Sequence, residues 1–253
     1  MRRRSVAASD LNYVVRRNGR GSYCILRPGR AALRAADDGE FIFCFEKELT
    51  IELQRRRRDL YFLHAAALEF DGKGILLVAP SGGGKSTLTW ALLHYGFAYL
   101  SDELAPVDLG TLRVLPYPHA LCLKQDPPQG FPLPGSVLRT RRTLHVPTTE
   151  LPSRTVARSV PLTSVMFLEY SQGQPNGAQL QPIGKAEATT RLFAQALNPL
   201  AHPEDGLSAA AAIASHAACY RLRFSDLSPT CDLITNCLSD RAPDCELLWR
   251  STR

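Results

Sequence analysis

The chain has no apolar run near the ~20 residues that a membrane-spanning helix needs, which argues against a helical membrane protein. Its first twenty residues, MRRRSVAASDLNYVVRRNGR, start basic but lack the apolar core of a secretory signal. Seven cysteines are present, none in a C-x-x-C pair and none at a zinc spacing, so buried or free thiols in a reducing cytoplasm are the reading. There is no LSGGQ signature and no Asn-Lys-x-Asp guanine motif, which sets aside ABC transporters and GTPase-type motors. No aromatic–basic interleaving or nucleic-acid motif supports binding to RNA or DNA. Internal repeats and heptad arrays are also missing.

What is present is enough for a real core: 253 residues, 45% of them hydrophobic. The net charge is +6, and it is uneven. Residues 1–58 hold fourteen Arg or Lys against seven Asp or Glu, so the remainder is about neutral. The stretch Arg55–Arg58 has two readings. It is a solvated helix face with arginines near the C-terminal end, where they suit the dipole, or a face for an anionic partner.

Residues 1–60 are expected to form a basic segment that adds strands and a helix to a main domain spanning 61–253. The stretches SYCILRPG and EFIFCFE read as strands, and Lys47–Leu60 as a helix. YFLHAAALEFDGKGILLVA reads as two strands joined by Asp71-Gly72, a strong turn pair. The second, Gly74–Ala79, is almost wholly aliphatic, as in strands buried on both faces. Leu88, Ala91, Leu92 and Tyr95 mark one helical face, Gly96 ends that helix, and FAYL is a short strand. From about Leu109 to Pro161, Pro, Gly and Arg dominate, predicting hairpins and a long loop. VPLTSVMFLEY and CYRLRF read as strands; GKAEATTRLFAQAL, Leu207–Ala217 and SDLSPTCDLITNCLSD read as helices, the last with Ser225 or Asp226 as its N-cap. The fold class is α/β, a mixed sheet flanked by helices.

Ala79-Pro-Ser-Gly-Gly-Gly-Lys-Ser86 fits the phosphate-binding Walker A pattern, between a strand and a helix as that pattern requires. Gly82, Gly83 and Gly84 let successive N–H groups converge on phosphate oxygens, with Ser81 and Thr87 flanking them. Lys85 supplies a point charge for the terminal phosphates, and the Ser86 hydroxyl suits Mg²⁺. Two carboxylates, Asp102 and Glu103, follow soon after. The helix carries the chain away by ~16 Å at ~1.5 Å per residue. About five strand residues at ~3.3 Å each return it. Asp102 and Glu103 therefore emerge beside the phosphate loop, on what is expected to be a parallel strand pair. There one carboxylate suits Mg²⁺ and the other the proton of an attacking hydroxyl; the plainer reading makes Asp102 a cap for the next turn. His64 stands between two readings, a satisfied core histidine and a group near the reacting end.

The run LHAAALEFDGKGILLVAPSGGGKSTL…YGFAYLSDELAPV resembles the C-terminal catalytic domain of bacterial HPr kinase/phosphorylase, and within that family the shorter HPr kinase-related proteins. His64, Gly84-Lys85-Ser86 and Asp102-Glu103 fall where that family shows a histidine, a Walker A loop and an acidic pair. The second acid is Glu where the family has Asp. The resemblance implies a P-loop kinase-like fold similar to ATP-dependent phosphoenolpyruvate carboxykinase. It implies a cytoplasmic, ATP- and Mg²⁺-dependent kinase that phosphorylates a hydroxyl, as on serine, of a protein or peptide. Asp102 would be the base, with His64 and Lys85 beside it, and Ser86 and Glu103 would serve the metal. Lys124 and Arg221 become candidates for phosphate contact by the resemblance alone. A homo-oligomer is left open. The contrasting expectation is a non-catalytic, nucleotide-gated module that binds an acidic peptide.

Overall fold

A computed structural model of the chain describes residues 11–19, 21–27, 29–140, 143–171 and 177–239. The arginines before residue 11, and Arg141 and Arg142, lie outside them. The chain divides into two compact units, Met1–Arg56 and Arg57–Arg253.

In the first unit, β1 (Val14–Arg17), β2 (Tyr23–Arg27) and β3 (Arg30–Ala35) form an antiparallel sheet of their own, followed by α1 (Asp38–Arg56). These strands pair with one another and not with the strands of the larger sheet. EFIFCFE is corrected: it is helical, not a strand. Asp37 accepts the backbone N–H of Glu40 at 2.8 Å, and Glu40 accepts that of Ala36 at 2.6 Å, a capping box that starts the helix early. Its aromatics then stack along one side, Phe41 on Phe45 and on Tyr23. The basic surplus is partly spent inside this unit, since Arg27 and Arg30 reach the buried Glu48 at 2.7 and 3.1 Å. Arg55 pairs with Glu52 in the last turn of α1.

The second unit contains β4 (Leu60–Leu63), β5 (Ala65–Phe70), β6 (Lys73–Val78), α2 (Lys85–His94), β7 (Ala98–Ser101), β8 (Ala105–Asp108) and β9 (Arg113–Val114). It continues with β10 (Leu121–Leu123), β11 (Leu138–Arg139), β12 (Leu144–Val146), β13 (Val160–Tyr170), β14 (Gln179–Pro182), α3 (Lys185–Phe193), α4 (Leu207–His216), β15 (Ala218–Phe224) and α5 (Leu227–Leu238). The order β4-β8-β9-β13-β6-β5-β7, with β15 and β14 branching from β13, makes a mixed sheet. The stretch expected to hold two strands holds three, because the chain breaks at His64 between β4 and β5. Asp71-Gly72 closes the β5–β6 hairpin as expected, both residues at positive φ, which suits the tight turn.

Strand β6 is buried on both faces. Ile75 and Leu77 enter one core with Leu88, Trp90, Phe97, Tyr99 and Ile234; Leu76 and Val78 enter the other with Phe167, Leu192 and Ile213. The period-2 geometry of a strand splits its aliphatic run between two layers of helices. Truncating such a residue to Ala costs about 2–5 kcal/mol, so the strand that carries the glycine loop is firmly anchored. Helix α2 ends in a Schellman turn, Phe97 N–H to Leu92 O and Gly96 N–H to Leu93 O, both at 3.2 Å.

The return strand departs from expectation in one respect. β7 and β6 run in the same direction but do not pair: β5 lies between them, antiparallel to each. The parallel neighbour of β6 is β13. The hairpin that brings His64's segment to β6 fills the slot that a single crossover would have left to β7. The Pro-rich stretch is mostly irregular, as expected, and holds a small three-stranded antiparallel sheet, β10-β12-β11. Trp90 anchors the stretch to α2 by donating its indole N–H to Phe131 O at 3.1 Å. Among the described residues, no helix is long and apolar enough to cross a membrane.

Candidate functional site

The glycine loop links the C-terminal end of β6 to the first turn of α2. Gly84 lies at φ +86°, in the left-handed region, and caps α2, with its carbonyl accepting the Leu88 N–H at 2.9 Å. A Cβ on Gly83 would meet the Ala79 Cβ at 2.7 Å and the Pro80 carbonyl at 3.1 Å, so the curl closes only without a side chain there. Thr87 follows in the first helical turn.

Lys85 folds back under this loop. It is buried, and its ammonium donates to Ala79 O at 2.7 Å, with Pro80 O at 3.4 Å. Burial pulls its pKa below the usual lysine value, and the charge of Lys124 adds to that, against the charges of Asp102 and Glu103.

Asp102 is fully buried at the end of β7. One carboxylate oxygen accepts the Ser86 hydroxyl at 2.8 Å; the other accepts the Glu103 N–H at 3.1 Å. Desolvation pushes its pKa up to about 6, and the charge of Glu103 works in the same direction. The Ser86 hydrogen bond and the charges of His119 and Lys85 oppose the rise. Asp102 thus lies against the first turn of α2 even though the strand pairing differs from that expected. Glu103, in contrast, is exposed and sits at φ +66°, a left-handed conformation unusual for a residue with a side chain.

His64 is half-buried at the β4–β5 break. Its N–H is held by Gln195 O at 2.8 Å, and its Nδ1 lies 3.1 Å from Gln195 Oε1. Burial, followed by the charge of Lys85, lowers its pKa, while Gln195 and Glu103 partly offset this. The neutral imidazole is thereby favoured, and the charges of Lys85, Lys124 and Glu103 all act on it.

Two groups join that constellation: His119, which the sequence does not mark, and Lys124, which the resemblance made a candidate. Tyr117 N–H donates to Leu100 O at 2.9 Å, which fastens the segment after β9 to β7. That brings His119 Nε2 to 2.5 Å from the Asp102 carbonyl oxygen, while its Nδ1 faces Ala120 O at 2.9 Å. No periodicity in PYPHALCLK marks this histidine. Lys124, just past β10, donates to the Ser81 hydroxyl at 2.9 Å, so a second lysine stands over the loop. Arg221 does not join them: it bonds Glu187 at 2.7 Å and lies 3.3 Å from Glu169, in an ion-pair ladder with Arg191 and Arg223.

Among the described residues, no group of three or more His, Cys, Asp or Glu side chains is placed to hold a metal ion unaided. A hydroxyl and one or two carboxylates suit Mg²⁺, which completes its shell with substrate phosphates and water. Ser86, Asp102 and Glu103 supply hard oxygen donors of that kind beside the glycine loop.

No protein-family model matches the chain, and no curated protein matches it. Among solved structures it is similar to the Hpr(Ser) kinase/phosphatase from Coxiella burnetii, at a TM-score of 0.32 and 12% identity, over 69% of this chain and 86% of that one.

Proposed function

We propose that the protein is an ATP-dependent kinase of the HPr kinase-related type, which transfers the γ-phosphoryl group to a hydroxyl of a protein or peptide. The observation that carries the reading is the fully buried Asp102 bonded to Ser86 at the start of the helix that the glycine loop opens. A carboxylate has no reason to be desolvated against a glycine-rich loop for stability alone, because burial disfavours its charge.

In this reading Ser81 to Thr87 hold the phosphates with backbone N–H groups, and the α2 N-terminus adds its positive end. Lys85 exchanges its contact with Ala79 O for phosphate oxygens, and Lys124 supplies a second charge from above the loop. Ser86 and Glu103 hold Mg²⁺; when bound, that ion neutralises charge on the phosphates. Asp102 takes the proton from the acceptor hydroxyl as the new O–P bond forms and the bond from the γ-phosphorus to the bridging oxygen breaks, releasing ADP. A pKa near 6 makes it a stronger base than an ordinary carboxylate while leaving it largely ionised at pH 7. Neutral His64 lends a hydrogen bond at the rim of the same site.

The bond from Ser86 to Asp102 also supports a second assignment, in which Asp102 takes the metal side and Glu103 faces the acceptor. Incubation with γ-labelled ATP and a library of Ser, Thr and Tyr peptides, read by mass spectrometry, tests the proposal. A phosphopeptide that depends on Mg²⁺ and on Asp102 supports it. Tight Mg-ATP binding with no phosphorylated product would leave a nucleotide-gated binding module instead.

A further inference from the structure

The three-stranded sheet carries a second cluster of reactive groups, independent of the kinase reading. In the antiparallel β10–β12 pair, Cys122 lies directly opposite His145. Leu121 and Leu123 point into the core on one side, and Cys122 between them is part-exposed on the other. Cys122 Sγ and His145 Nδ1 are 3.0 Å apart. The far ring nitrogen, Nε2, lies 2.8 Å from Thr143 Oγ1.

The two threonine hydroxyls lie 3.0 Å apart, and Thr140 Oγ1 is 2.9 Å from Thr143 O. With the Thr143 proton on Thr140 Oγ1, Thr143 Oγ1 accepts from His145 Nε2–H, and in that tautomer the basic nitrogen, Nδ1, faces the thiol. A nucleophile, a base and a group that orients the base thus lie in line, the arrangement that activates a thiol.

We propose that Cys122 is a reactive thiol, activated by His145 and positioned for reversible mixed-disulfide formation with a small-molecule disulfide. The Sγ proton passes to His145 Nδ1, and the thiolate attacks one sulfur of the disulfide. The Cys122 S–S bond forms as the original S–S bond breaks, and the departing thiolate takes up a proton. The old S–S bonding pair leaves with the departing sulfur, which is reduced as Cys122 is oxidised, so the disulfide is itself the oxidant. Cys219 and Cys231 offer the contrast: both are buried, and burial raises their pKa, that of Cys231 to about 12.

The test is the rate of modification at each cysteine of the folded chain by oxidised glutathione, followed by site-resolved mass spectrometry. Cys122 is expected to react at least about tenfold faster than the part-exposed Cys24, Cys44 and Cys237. His145→Gln is expected to remove most of that advantage. Thr143→Val, which leaves the sulfur–imidazole pair in place, is expected to remove a smaller part. Circular dichroism confirms that each variant is folded, and a denatured sample sets the unactivated rate. A Cys122 rate within the range of the other part-exposed cysteines, or one unchanged in folded His145→Gln, would overturn the proposal.

Discussion

The two sides of the glycine loop are built by opposite means. On the inner side, Ser86 and Asp102 meet at 2.8 Å between a buried strand and a buried helix, and the carboxylate has no exposure at all. On the outer side, Lys124 reaches Ser81 from an exposed position at the end of a small sheet. The inner pair is held by packing that spans the whole unit; the outer pair is held by one hydrogen bond. Chemistry that needs fixed geometry belongs on the first side, and contacts that must yield to an incoming phosphate belong on the second.

The strongest way to break this contrast is to remove charge from the inner side. Asp102→Asn is expected to keep Mg-ATP binding within a few-fold, by calorimetry, while phosphoryl transfer falls by about 10²–10⁴. Retained transfer would remove the assigned base. Next in size is Lys85→Met, expected to weaken ATP binding by more than tenfold, since the charge is buried beneath the loop. Gly83→Ala is expected to cost about 1–3 kcal/mol in denaturant unfolding, because its Cβ has only the Ala79 methyl and the Pro80 carbonyl to move against.

The inner carboxylate also predicts a pH dependence of stability. Its folded-state pKa, about 6, lies above its ordinary value of 3.8. The folded state therefore holds the proton more tightly, and the contribution is fully present below pH ~4 and lost as pH rises through ~6. Asp102→Asn, which mimics the protonated acid, should match the native protein in acid and become the more stable of the two by pH 7. Thermal melts across that range measure the gap, and a constant gap would contradict the desolvated carboxylate. The smallest effect belongs to the outer side: Lys124→Ala is expected to raise the Kd for ATP only a few-fold, as for an exposed charge.

How much of this was legible depended on the range of the interactions. The glycine loop, its strand, its helix and the Asp71-Gly72 turn are set by neighbours within a dozen residues, and all were readable from pattern. The place of Asp102 followed from lengths alone, because going out along α2 and back along β7 reaches the loop whatever strand lies between. The insertion of β5 between β6 and β7 was not readable, since strand order is decided by packing across the whole sheet. His119 was invisible for the same reason: a single backbone bond from Tyr117 to Leu100 brings it in. The α1 error had a local cause. The aromatic run in EFIFCFE carried the appearance of a strand, while the capping pair Asp37 and Glu40 marked a helix start.

The most direct measurement is a crystal structure with Mg²⁺ and a non-hydrolysable ATP analogue. Lys85 Nζ is expected to have moved from the Ala79 carbonyl to phosphate oxygens, with the Asp102 carboxylate within about 3 Å of the acceptor position or one water away from it. An Asp102 carboxylate more than about 10 Å from the terminal phosphoryl group, well beyond that reach, would contradict it.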